Sequence, residues 1–114
     1  MSKVVNPKTG FLFLPVNTNT DGTPVVAGEI VQYNLLWGTT SGGPYPNLYA
    51  SNALTPDANG KLAVPIAALG KLANGDYFAV VQAQTKDGIV SANSSEVAFS
   101  ISPTPATPTG FSIA

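Results

Sequence analysis

The side chains able to do chemistry in this chain are few. There are six carboxylates, five lysines, four tyrosines and a set of Ser and Thr hydroxyls, with no histidine, cysteine or arginine. Without His or Cys, a Ser–His or Cys–His nucleophile cannot be built. A Ser–Lys dyad stays formally open, with Ser41 or Ser91 beside Lys86. No spacing brings these residues together, and solvated loop positions are the plainer reading. Asp57-Ala-Asn-Gly60 has a superficial likeness to a calcium loop but lacks the later bidentate Glu that such a loop requires. The plainer reading is a turn, in which Asp57 and Asn59 bond local backbone and Gly60 takes a positive φ. Asp21 and Asp87 each precede glycine and read the same way. No catalytic, cofactor or metal site follows from these residues, and the expectation is a protein that is not an enzyme.

The remaining chemistry is that of contact. Gly42-Gly-Pro-Tyr-Pro-Asn-Leu-Tyr49 carries Tyr45 and Tyr49 on a backbone stiffened by Pro44 and Pro46. Tyrosines held this way lose little rotamer entropy on binding and are common at interfaces. The competing reading is that both rings cover the edge of a sheet. A second contact element is the C-terminus, Pro103-Thr-Pro-Ala-Thr-Pro-Thr-Gly-Phe-Ser-Ile-Ala114. A Pro/Thr-rich run normally marks a linker, but this one ends with Phe111 and Ile113 at period two, the pattern of a half-buried strand. Such a strand needs a sheet edge, on its own body or on a neighbour. The long stiff lead favours the neighbour.

The elements that position these residues are strands. Phe11–Leu14 is an apolar run closed by Pro15. Ile30–Trp37 alternates, with Val31, Tyr33, Leu35 and Trp37 on one face. Lys61–Ile66 places Leu62, Val64 and Ile66 together, with Pro65 indicating an edge. Tyr77–Ala83 groups Tyr77, Ala79, Val81 and Ala83, and Glu96–Ile101 turns Val97, Phe99 and Ile101 inward. The expected core is Trp37, Tyr77, Val81, Val97 and Phe99. Pro65–Leu72 reads as a strand end passing into a turn, with room for one helical turn. Asp21-Gly22, Gly42-Gly43-Pro44, Asn59-Gly60, Asn74-Gly75 and Asp87-Gly88 separate the runs. Closely spaced strands without helices indicate an all-β sandwich of about seven strands. The division is an N-terminal arm over 1–10, a sandwich over 11–102 and an extension over 103–114.

Charged residues make up 10% of the chain, well below the ~25% usual in soluble domains. A surface this poor in charge does little to deter association, so protein partners are expected. Nucleic acid is not, because a net charge of −1 without arginine offers no basic stripe. No apolar run has membrane-spanning length, and the N-terminus lacks a signal-peptide pattern.

Three stretches resemble the fibronectin type III family of the immunoglobulin-like class, in the forms found in phage structural proteins and bacterial surface proteins. They are Asn19-Thr-Asp-Gly-Thr-Pro24, Tyr33-Asn-Leu-Leu-Trp-Gly-Thr-Thr-Ser-Gly42, and Leu72-Ala-Asn-Gly-Asp-Tyr77 continuing through Val81-Gln-Ala83 and Asp87-Gly88 to Ser94-Ser-Glu-Val97. The resemblance covers roughly residues 11 to 101. It implies an immunoglobulin-like antiparallel sandwich in which Tyr77 is the corner tyrosine, its hydroxyl bonded to upstream backbone. Phe13 stands where the family usually has a core tryptophan. The family's first strand matches residues 1–10 poorly and the C-terminal Pro105–Ala114 well, as in a circularly shifted module or in a chain ending just inside a further repeat. The resemblance, the sparse charge and the start at Met together suggest a virion accessory protein made in the host cytoplasm, such as a capsid decoration or tail-associated component. The alternatives are a binding module of a bacterial cell-surface or secreted protein, with carbohydrate as one ligand class, and a self-assembling subunit that exchanges its C-terminal strand.

Overall fold

The computed structural model describes residues 3–5, 10–52, 54–102 and 106–113. It is all-β, with two sheets facing one another. The larger sheet contains β1 (Lys3–Val5), β3 (Ile30–Gly38), β4 (Asn47–Ser51), β6 (Gly75–Thr85) and β7 (Val97–Ile101), in the order β1-β7-β6-β3-β4. The smaller sheet pairs β2 (Gly10–Phe13) with β5 (Leu62–Pro65). All neighbours are antiparallel except β1 and β7, which run parallel with Lys3 opposite Phe99 and Val5 opposite Ile101.

Period-two patterning sets which side chains enter the space between the sheets. From the large sheet come Leu35, Trp37, Ala79 and Phe99, all buried. Val64 descends from β5, and the single turn of 3-10 helix that follows, Ile66–Leu69, adds two more buried side chains. Ile66 and Leu69 are three apart, which in a 3-10 turn puts both on one side. Pro65 keeps an extended backbone before that turn, and Gly70 at φ 84° ends it. Phe11 meets Phe99 edge-on at 5.1 Å, and Tyr77 stacks on the same ring at 5.4 Å. A second cluster forms around Tyr33, Leu62 and Ala83, with Phe13 half-buried against it. The Phe13 and Tyr33 rings are 5.0 Å apart. Gly10 lets the two strands of the small sheet approach, since a Cβ there would lie 2.5 Å from the Val64 carbonyl oxygen.

The sequence reading is corrected in four places. Val31 does not join Tyr33, Leu35 and Trp37 in the buried set of β3. A register shift between Ile30 and Gln32 is a bulge that takes it out of the alternation, and it is 36% exposed. Val97 faces the core side of β7 yet is 48% exposed. Tyr49 is a strand residue of β4, paired with Leu35, rather than part of a loop. Finally, Lys3–Val5 lies within the segment read as an arm but forms β1, alongside the edge of β7. Tyr77 and Val81 are half-buried against the core, and Trp37 and Phe99 lie within it.

Candidate interaction site

Asp21, Asp57, Ser41 and Ser91 are held by hydrogen bonds within the fold, whereas among the described residues the Asp87 and Asn59 side chains make none, although Gly88 takes the expected positive φ of 86°. Asp57 Oδ1 accepts the Asn59 and Lys61 N–H groups at 2.8 and 3.0 Å, while Gly60 N–H donates to the Asp57 carbonyl at φ 76°. The two N–H donors, Lys61 first, hold the Asp57 carboxyl below its ordinary pKa. Asp21 is arranged likewise, accepting both the hydroxyl and the N–H of Thr23. Ser91 Oγ accepts the Ala83 N–H and donates to the Ala92 carbonyl, and Ser41 donates to Glu96. Lys86 lies 3.8 Å from Glu29. The structure thus brings neither serine to the lysine through any of these bonds. Among the described residues, no three His, Cys, Asp or Glu side chains gather as metal ligands, and no helix is long and apolar enough to cross a membrane.

Glu96 organises the loop ahead of β4, a role the sequence did not reveal. Its Oε1 accepts the Tyr45 hydroxyl at 2.6 Å and the Gly42 N–H at 2.7 Å, and its Oε2 accepts the Ser41 hydroxyl at 2.8 Å. These donors, the Tyr45 hydroxyl foremost, hold the Glu96 carboxyl below its usual pKa, and the same bond raises the Tyr45 phenol. A carboxylate stabilised in this way is a poor proton acceptor. Its role is to fasten a loop to the start of β7. Tyr45 is therefore engaged within the fold, and the Tyr49 ring packs against the core cluster. Tyr77 donates its hydroxyl to the Ala73 carbonyl at 2.6 Å, closing a corner before β6.

An uncovered part of the sandwich is the other feature. Two strands face five, so the inner face of the large sheet is roofed only in part. Beside β2 lies an open groove of about 610 Å³. It is lined by Phe11 and Phe13 of β2, by Ala79 and Val81 of β6, by Val97 of β7 and by Ser94. Val97 is exposed because this roof is missing. The β2 edge facing the groove carries no strand partner among the described residues. Phe111 and Ile113, expected to form a strand, lie outside any strand, have no strand partner among the described residues and are each 99% exposed. Pro103 and Pro105 of the lead lie outside the described residues; Pro108 lies within them, in chain without regular secondary structure.

Comparison with protein-family models, curated proteins and solved structures finds no match. The resemblance to fibronectin type III domains rests on the residues quoted for it.

The groove was hard to find from sequence because it is a shortage of strands rather than a motif. The available signal was numerical: only Phe11–Leu14 and Lys61–Ile66 were on hand to cover a larger set of runs.

Proposed function

We propose that this protein is a non-enzymatic, immunoglobulin-like assembly module, and specifically a phage virion accessory component of the decoration or tail-associated kind. The strand order supports the immunoglobulin-like reading. β1-β7-β6-β3-β4 on one side and β2-β5 on the other are compatible with the arrangement in which the sixth strand, opened by a corner tyrosine, lies between the third and the last.

The observation that carries the interaction role is the pairing of an unroofed apolar groove with a tail whose two large apolar side chains are fully in solvent. Exposed apolar surface of this kind marks contact with another protein. The sparse charge of the chain suits a surface that is covered in an assembly. Tyr45 and Tyr49 have duties inside the fold, so the contact role falls chiefly on Phe111 and Ile113. Quantifying the chain by mass spectrometry in purified particles and in cell-envelope fractions of the source tests the reading. Stoichiometric copies in particles are expected. Recovery from the envelope alone would replace it with the bacterial surface module.

A further inference from the structure

We infer that the groove beside β2 is a receptor for the C-terminal strand of a second copy of this chain, so that subunits join head to tail by strand donation. The inference rests on the assembly reading above and names the occupant.

The groove offers what an incoming strand needs. Among the described residues the outer edge of β2 has no strand partner, so its backbone N–H and C=O groups can receive one, and Val81, Val97 and Phe11 supply an apolar bed. Strand addition to such an edge takes affinity from the backbone ladder and specificity from alternate side chains. Phe111 and Ile113 are the matching alternate pair, with Ser112 between them to face outward.

Chain direction favours a second copy over the chain's own tail. Phe11 lies against Phe99, which pairs with Tyr77, and Phe13 lies against Tyr33, which pairs with Ala83. So β2 runs in the sense of β6 and against β7. A strand antiparallel to β2 must enter near the Val81–Ala83 level and run toward Tyr77. The chain's own tail leaves β7 at Ile101, opposite Gly75, which is the wrong end. To enter correctly it would retrace about 20 Å of sheet and cross the ~10 Å gap between layers. Residues 102–110 reach about 28 Å when extended at ~3.1 Å per residue, leaving nothing for reversals of direction. The direct route would place the tail parallel to β2, and the chain does not adopt it: Phe111 and Ile113 are 99% exposed. A tail arriving from another molecule has no such constraint. Donation of one copy's tail to the next copy's groove is a heterologous contact, which propagates into rings or filaments rather than stopping at a dimer.

The full-length chain tests this directly. In sedimentation velocity the mass is expected to rise with concentration through multiples of 11.7 kDa. A Phe111→Asp/Ile113→Asp variant should stay monomeric with an unchanged melting temperature. Added to wild type, it should cap growth, since its groove is intact. The chain has no native cysteine, so oxidation of a Val97→Cys/Phe111→Cys variant, or of Val97→Cys/Ile113→Cys, should give a reducible ladder of multimers. A wild-type monomer at all concentrations overturns the inference, as does a crosslink confined to single chains. The outcomes separate from the reading on which the inference rests. Particle-borne chain that is monomeric when purified rejects the self-donation alone. A laddering chain recovered only from envelopes rejects the virion reading alone.

Discussion

Phe99 and Val97 are two residues apart on one strand and point the same way, yet one is 2% exposed and the other 48%. Their backbones are equally well paired, with Phe99 opposite Tyr77 and Val97 opposite Ala79. The difference lies overhead. Phe99 is capped by the Phe11 ring and flanked by Tyr77, whereas Val97 lines a groove. A strand's own pattern therefore specifies which side chains are offered to a core, while the opposite layer decides which are accepted.

The largest expected effect breaks this comparison at its buried end. Phe99→Ala should cost about 3–5 kcal/mol, through lost transfer energy and the cavity left among Phe11, Tyr77 and Leu35. Val97→Ala should cost under about 1 kcal/mol in the isolated chain, because half its surface already meets water. Chemical denaturation of both variants measures the contrast. Equal losses would mean that the groove is closed in solution.

Next in size come hydroxyls that anchor rings on the covered side. Tyr33 is buried, and its hydroxyl oxygen accepts the Val16 N–H at 2.8 Å. Tyr33→Phe should cost about 1 kcal/mol by removing that acceptor. Tyr77→Phe should cost a similar amount, about 1 kcal/mol, through the lost bond to Ala73. A neutral result for Tyr77→Phe would separate the corner geometry from stability.

A smaller, pH-dependent effect should come from Glu96. Its folded pKa is lowered, chiefly by the Tyr45 hydroxyl. The stabilisation it provides is complete above the ordinary carboxylate range and is lost as pH falls through the depressed folded value. Asp21 and Asp57 are lowered too and contribute in the same direction. The difference between wild type and Glu96→Gln across acid pH isolates the Glu96 share, and it should vanish at low pH. The smallest effect concerns calcium. With Asp57 Oδ1 already accepting two N–H groups, added calcium should leave the melting temperature unchanged.

How much of this was legible depended on whether the cause was local. Ile30–Trp37 and Tyr77–Ala83 announce themselves through alternation, and the Asp57–Gly60 turn through residues that bond their own backbone. The strand β4 was missed because Asn47-Leu-Tyr-Ala-Ser51 follows two prolines, contains no β-branched residue, and exists by pairing with β3. The strand β1 was missed for a similar reason: its partner lies at the far end of the chain. Val31 was misplaced by a bulge, which breaks period two without changing composition. In the tail, the period-two pair Phe111 and Ile113 was legible, but the strand read from it is not formed in the chain, because a strand needs an edge to pair with. The groove arises from the mismatch of two layers, which no single segment encodes. Glu96 was invisible because its three donors lie more than fifty residues away in sequence.

The parallel pairing of β1 with β7 has a mechanical consequence. Lys3 begins its strand beside Phe99, and Ile101 ends its strand beside Val5. Tension applied between the two ends of the chain pulls β1 toward its start and β7 toward its finish, in opposite senses along a shared ladder. The load falls on those hydrogen bonds in shear, all at once, instead of peeling them one at a time as it would at an antiparallel edge drawn from one end. When the chain is pulled through its two termini, that ladder must slip before β7 can be drawn from the sheet and the core beneath it opened.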